Sequence, residues 1–386
     1  MNQIKYCGRG YHIPHGDFMD LIDTCFGFHE TERKFIHLLP KCYREQYRPQ
    51  DSNYVVIDEN DALTAAVGAY DHEIMVCGYC IPCRGIGNVG VHPEHRNRGY
   101  MKAAMNQALA DMITDGIALS TLGGRRQRYQ YFGYDKAGPT YSFSLSHENF
   151  RHAFQNVSSN LTVTQITDPN DPLISKIIEL NQSKPFVPVR LRSSYLDIAT
   201  SWHFMLLAIT EGERFVGYCL RIGDHISEIQ VVHDEEFLCL LRALYDYIGG
   251  CFNLTIPVHQ ASYAAALAPI AENMFLNCAM HFNVLNFRLV TEAFLALKQT
   301  YMTVPDGKLS FLIHGFARDE RIAISVQNGK PSVEYIPDSE PVDYELSHLE
   351  AMEFLYAPIC PARDGACDLA RIWFPVPIFM FRADEV

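Results

Sequence analysis

The sequence predicts an α/β (α+β) protein with mixed central sheets, laid out as two copies of one pattern and a smaller α+β unit. Three observations lead there. Residues 53–146 read in order as a hairpin, a strand, a helix, a strand, a short helix and a strand. A similar order returns between about 202 and 287, with no sequence identity worth the name. From 288 the text opens instead with a helix, continues in strands and closes on another helix and an apolar tail. This gives predicted domains at 1–150, 151–287 and 288–386, in keeping with 386 residues at about 100–200 per domain.

The first copy is preceded by residues 15–48, where apolar positions recur at helical spacing in two runs parted near Gly27. "NYVVIDEN" (53–60) and "LTAAVGAYDHEIMVCGYC" (63–80) read as hairpin strands, with Asp58-Glu59-Asn60-Asp61 as the turn. "GIGNVGV" (85–91) is a further strand. Between Gly99 and Asp115, Met101, Ala104, Met105, Ala108, Leu109, Met112 and Ile113 repeat at three and four, and Gly116 stands where a helix stops. "IALSTLGG" (117–124) and "TYSFSLS" (140–146) are strands around the short helix "RRQRYQYFGY". The second copy follows a polar, loop-like passage to about 170. Its strands are "WHFMLLAIT", "RFVGYCLRI", "SEIQVVH", "FNLTIPV" and "CAMHFNVLNF", with helices "EEFLCLLRALYDYIGG" and "ASYAAALAPIAEN". The third unit carries the helix "RLVTEAFLALKQTY", strands "LSFLIHGF", "RIAISVQ" and "PSVEYIP", and a helix around "LSHLEAMEFLY". The tail "ARIWFPVPIFMFRADEV" is apolar almost to its end and reads as packed.

The net charge of -13 argues against a nucleic-acid partner, which needs a basic footprint. It suits a cationic or neutral small substrate. No run approaches the ~18 apolar residues of a membrane span, and the N-terminal residues hold no apolar signal core. The expectation is a cytoplasmic protein whose twelve cysteines are free thiols. Cys77, Cys80 and Cys83 have the spacing of a metal or cluster site. No fourth cysteine is near, and strand residues three apart face opposite ways. They read as small hydrophobes, and no metal is expected.

The chemistry concentrates in "GVHPEHRNRGYM" (90–101). A strand, a basic turn with one glycine, and a helix together suggest an anion site. The first four backbone N–H groups of a helix lack partners, and the helix dipole adds positive charge there. Arg96 and Arg98 add full charge, and Gly99 keeps a Cβ out of the way. On this pattern alone, a phosphate site and an ordinary solvated turn are equally open. The second copy has "VVHDEEF" at the matching place, acidic and without glycine.

"VGVHPEHRNRGYMKAAM" resembles motif A of the GNAT (Gcn5-related) N-acetyltransferases, Arg/Gln-x-x-Gly-x-Gly/Ala, with Arg96, Gly99 and Met101 in those places; Met101 departs from the rule. "GGRRQRYQYFGYDKAG" resembles the F-G-Y segment of the same family. Paired V-x-V, H-R-x-R-G, a tyrosine three residues before F-G-Y and a three-part layout resemble the Eis-like (enhanced intracellular survival) group. The resemblance implies tandem GNAT folds, the second degenerate, and a C-terminal sterol-carrier-protein-like domain. It implies acetyl-CoA as cosubstrate, with Val89 and Val91 offering backbone groups to the pantetheine arm. Arg96, Asn97, Arg98, Gly99, Tyr100 and Met101 would surround the pyrophosphate.

The remaining roles also come from the resemblance. Tyr129, on its residues alone one more core aromatic, would protonate the departing thiolate; a phenol is protonated at neutral pH. The carboxylate of Val386 would take the proton of the attacking amine, and Glu385 would help bind a cationic amine. His29, Glu30 and Asp71 are further polar candidates at the substrate mouth, Glu30 foremost. The expected activity is direct transfer of acetyl from acetyl-CoA to a primary amine of a small molecule, peptide or lysine, with no nucleic-acid or membrane partner. The alternative is a non-catalytic acyl-CoA or lipid-binding regulatory protein. Relatives form oligomers, so a homo-oligomer is left open.

Overall fold

The computed structural model describes residues 4–28, 34–155, 157 and 159–386. The first copy contains β1 (Ile4–Arg9), β2 (Asn53–Asp58), β3 (Leu63–Val76), β4 (Tyr79–Val91), β5 (Leu119–Leu122) and β6 (Asp135–Leu145). β1 is absent from the sequence reading; it pairs antiparallel with β2. The two strands expected at 63–80 and 85–91 divide elsewhere. Cys77 and Gly78 both have positive φ (49° and 88°) and form a two-residue hairpin turn. Residues 81–84, between the two expected strands, are therefore strand, with Cys83 buried, Cys77 half-buried and Cys80 exposed. The helix His15–Phe26 ends at Gly27, which caps it at φ 70°. The helix Tyr100–Thr114 buries Tyr100, Ala104, Met105, Ala108, Leu109 and Met112, the face that its spacing marks.

The second copy contains β7 (Thr162–Gln165), β8 (Phe186–Pro188), β9 (Met205–Glu211), β10 (Arg214–Ile222), β11 (His225–Val231), β12 (Phe252–Pro257) and β13 (Asn273–Val284). The passage expected as loop thus holds β7, and the helix Leu173–Gln182 follows it. The match between copies is geometric. β4 runs parallel to β5, and β11 runs parallel to β12, each pair joined through a helix (Tyr100–Thr114 and Phe237–Ile248).

The two copies do not close separately. One sheet runs β1-β2-β3-β4-β5-β13-β6-β12-β11-β10-β9-β7. β13 lies antiparallel between β5 and β6, and β6 lies between β13 and β12. Each copy therefore lends a strand to the other. The physical reason is edge satisfaction: β5 has only four residues, and without β13 its outer edge would stay unpaired.

The third unit is a four-stranded sheet in the order β16-β15-β14-β17, from β14 (Gly307–His314), β15 (Asp319–Gln327), β16 (Lys330–Tyr335) and β17 (Tyr344–Ser347). Its helices are Phe287–Gln299 and His348–Tyr356. Its apolar core is continuous with the far ends of β3 and β4, through Ile74, Val76, Ile81 and Cys83. Tail residues Trp373, Phe374, Val376 and Ile378 fill that core. No helix among the described residues is long and apolar enough to cross a membrane.

A fragment of residues 1–150 lacks β13 and should not hold its sheet. Circular dichroism and gel filtration should show it unfolded or aggregated, and a folded monomer would contradict the exchange of strands.

Candidate active site

The site begins where β4 leaves β5. Their parallel pairing runs from Cys83↔Leu119 to Ile86↔Leu122 and ends there, while β4 continues to Val91. β5 itself stops at Leu122, and β4 is bulged just past that point. Opposite β3 the register slips between Gly68↔Gly87 and Ala66↔Gly90, a bulge at Asn88, whose φ is 38°. The Asn88 side chain is fixed by donating to Asn53 Oδ1 (2.7 Å) and accepting from Tyr70 (3.4 Å). Past the bulge, Val89 and Val91 have an edge facing away from β3 and unmatched by β5.

The turn 92–99 follows. His92 Nδ1 accepts the Glu94 N–H (3.4 Å), and His95 faces Asp58 at 3.6 Å, so the two histidines shape the turn. Asn97 and Gly99 both have positive φ (63° and 83°). Gly99 is the N-cap of Tyr100–Thr114, and no side chain caps that helix. A Cβ on Gly99 would meet nothing within 4 Å, so the glycine answers a conformational need rather than a tight protein contact. Arg96, Asn97, Arg98 and Gly99 are exposed, Tyr100 is buried, and Met101 is half-buried. The leading amides of the helix and two guanidinium groups thus share one surface beside the free edge of β4.

Tyr129 lies just beyond β5. A Cβ on Gly124, two residues past the strand, would come within 2.8 Å of its ring. Val89, Val91 and Met101 pack against the same apolar cluster that contains Tyr129. Burial raises the phenol pKa, with Arg128 pulling the other way, so it holds its proton at neutral pH. The neighbouring tyrosines are engaged elsewhere. Tyr134 is buried and hydrogen-bonded to Ser120 (2.6 Å), and Tyr131 is exposed, with Lys102 over its ring.

The tail reaches the same place. A Cβ on Gly87 would lie 2.8 Å from the Val386 carboxyl carbon, and one on Gly85 would lie 2.7 Å from Val386 Cγ2. These glycines clear a seat on β4 for the last residue, at the point where β5 is left behind. Three anchors hold the approach. Lys41 Nζ donates to the carbonyls of Ala383 (2.6 Å) and Glu385 (2.7 Å). Trp202 Nε1 donates to the Glu385 carbonyl (3.1 Å). Arg190 grips Asp384 through Nε (2.9 Å) and Nη2 (2.7 Å), and Glu228 through two bonds of 2.8 Å.

The tail contributes to two cavities. Asp384 and Val386 line a cleft of about 370 Å³ with Lys41, Tyr70, Asp71 and His72. Arg382 and Glu385 line a separate one of about 530 Å³, in which no residue of the β4–β5 opening takes part. The structure therefore brings Val386 and Asp71 together and directs the Glu385 side chain elsewhere, onto Arg382 (2.7 Å). The tight turn Arg382–Asp384 causes this, because it sets Arg382 and Glu385, three residues apart, on one face and leaves Asp384 and Val386 on the other. Asp384, which the sequence reading passed over, takes the place expected for Glu385. His29 and Glu30 lie outside the described residues. His72, also unforeseen, is half-buried by its neighbours, and no described residue partners its Nε2. Burial lowers its pKa to about 4, so it is neutral at pH 7. No sequence signal marked it, since its role depends on which strand the tail meets.

Glu385 is itself informative. Burial pushes its pKa up to about 7, against the opposing pull of Arg382 and Lys41. Between its ordinary value and about 7 the folded chain holds a proton that the unfolded chain has released. The stability contributed by this group is thus present at acid pH and lost as pH rises through about 7. Glu385→Gln should flatten the fall in Tm between pH 5 and pH 8 seen by calorimetry; an unchanged slope would contradict this.

Residues 15–137 match the family described as Acetyltransferase (GNAT) domain. A search of curated protein sequences gave no match. Solved structures share the fold along nearly the whole chain. A GCN5-related N-acetyltransferase from Anabaena variabilis has a TM-score of 0.67 at 14% identity, covering 99% of this chain and 98% of its own. One from Kribbella flavida has a TM-score of 0.65 at 16% identity, covering 100% and 99%. Eis1 from Mycobacterium abscessus has a TM-score of 0.59 at 13% identity, covering 91% and 90%. At these identities the likeness is one of fold. The chain carries, in residues 15–137, an acetyltransferase domain of the GNAT family.

Proposed function

We propose that the chain transfers the acetyl group of acetyl-CoA directly to a primary amine of a small molecule, peptide or lysine. One observation carries this: the free edge of β4, the uncapped helix at Gly99 and the chain's own terminal carboxyl converge on the β4–β5 opening. Val89 and Val91 offer main-chain groups to the pantetheine arm as an added strand would. The amides from Gly99 to Met101 and the guanidinium groups of Arg96 and Arg98 hold the pyrophosphate.

The Val386 carboxylate takes a proton from the acceptor ammonium, freeing a lone pair. The amine nitrogen bonds to the thioester carbonyl carbon, and the carbon–sulfur bond then breaks. Tyr129 gives its proton to the departing thiolate, which leaves as the free thiol, and the second proton shed by the acylated nitrogen returns through solvent to the Tyr129 phenolate, leaving a neutral amide. Much of the rate comes from holding amine and thioester together. The alternative in which the third unit holds a lipid has less support, because Trp373, Phe374, Val376 and Ile378 fill its apolar interior.

The test pairs calorimetric titration of CoA with mass spectrometry of products from an amine panel. Two variants should keep CoA binding and lose turnover by about 10² or more, the range for removing a general base. One is a short C-terminal extension. The other is Gly87→Ala, whose Cβ would press on the terminal carboxyl carbon at 2.8 Å. Full activity in both would remove Val386 from the mechanism. No CoA binding in the wild type would overturn the reading altogether.

A further inference from the structure

The charge and apolar lining of the acceptor cleft go further than its presence. The cleft with Val386 at its base is lined on its outer side by Val189, Leu191 and Ile198, and deeper in by Cys42 and Tyr70. Leu191 is 67% exposed and Val189 42% exposed, large apolar side chains left in solvent at the entrance. On a polar cleft wall such residues would bring no advantage; around an entering apolar body they would lose water-exposed surface.

The carboxylates of the cleft are already committed. Both oxygens of Asp384 accept from Arg190, at 2.9 and 2.7 Å. Asp71 pairs with the buried guanidinium of Arg84 through Oδ1, and Arg84 also holds Asp115 at 2.8 Å. Asp197, beside the cleft residue Tyr47, pairs with Arg44 at 2.8 Å and accepts from the Tyr47 hydroxyl at 2.8 Å. Lys41 adds an amine to the lining, occupied by two backbone carbonyls. Glu228 shares Arg190 and Asp115 shares Arg84, so a modest anionic excess survives. Among the described residues that line the cleft, the carboxylate oxygens left to face a cation are those of the terminus and the second oxygen of Asp71, with the unpartnered ring nitrogen of neutral His72 beside them. That is provision for one ammonium group, at the base. A chain of several ammonium groups would pass the apolar entrance and find its further charges without partners, a desolvation cost with no return.

We propose that the acceptor is a monoamine carried on an apolar body, an alkylamine or arylalkylamine, and not a polycation such as a polyamine or an amino sugar. This rests on the acyl-transfer reading for the chemistry at the base. The preference itself is a property of the cleft. The apolar body lies along Leu191, Val189 and Ile198, and its single ammonium reaches the terminal carboxylate. Cleft size agrees: about 370 Å³ accommodates a small aromatic amine.

The experiment uses the full chain saturated with CoA. Binding of 2-phenylethylamine and of spermidine is measured by calorimetry, and initial rates with both amines are measured with acetyl-CoA. The expected result is at least a tenfold preference for 2-phenylethylamine in Kd and in kcat/KM, the scale of one apolar contact in a pocket. Leu191→Asp and Val189→Asp change exposed side chains, and each should shrink that preference about tenfold by weakening the arylalkylamine and helping spermidine. Equal or tighter binding of spermidine in the wild type would overturn the proposal, as would a preference that neither variant moves. If 2-phenylethylamine binds preferentially while no amine is acetylated, the cleft preference stands and the acyl-transfer reading falls.

Discussion

Everything chemical in this molecule depends on the break in pairing between β4 and β5 after Ile86 and Leu122. A continuous ladder would close the sheet and satisfy every backbone group there. Instead β5 stops at Leu122, and just beyond it β4 is bulged at Asn88, whose side chain is fixed by Asn53 and Tyr70. The opening leaves main-chain groups for an extended ligand, and the following turn aims the start of a helix at the same space. A row of unpaired main-chain groups, costly in an ordinary sheet, is thus left open at this edge.

The opening has a carboxyl group beside it only because the far end of the chain is brought to β4. The tail is anchored twice over. Apolar side chains from Trp373 to Phe381 hold it in the core of the third unit. Arg190, with 2% of its side chain exposed, then ties Asp384 to Glu228. Removing the arginine would leave two buried carboxylates facing each other, and breaking such a buried set costs about 3–5 kcal/mol. Lys41 and Trp202 fix the carbonyls on either side, so the last residue has little freedom left when it reaches Gly87. Residues from all three parts of the chain thus position one carboxyl group.

The exchange of β6 and β13 serves the same end. It joins the two copies into a single sheet, so Arg190 and Glu228 from the second copy stand at a fixed place relative to β4 in the first. The second copy keeps the geometry of the first but opens its main helix after Asp234, Glu235 and Glu236. Three carboxylates there repel the anion that Arg96 and Arg98 would attract. The second copy serves as a buttress, since its strands continue the sheet of the first.

Local chemistry made part of this legible without coordinates. The helix from Tyr100 was readable from its apolar period, the turn that opens it from its glycine and arginines, and the packed tail from its run of large apolar residues. These are properties of neighbours in the chain, where spacing alone decides which face is buried. Other features depend on which distant segments meet. The hairpin turn at Cys77-Gly78 hid inside what reads as one long strand, because positive φ at a cysteine has no compositional mark. β13 closing the first copy, His72 beside the terminus, and Asp384 rather than Glu385 lining the cleft all follow from long-range register. The single turn Arg382–Asp384 decides which face each of the last side chains takes. Only the packing of the tail against β4 and Arg190 set that register.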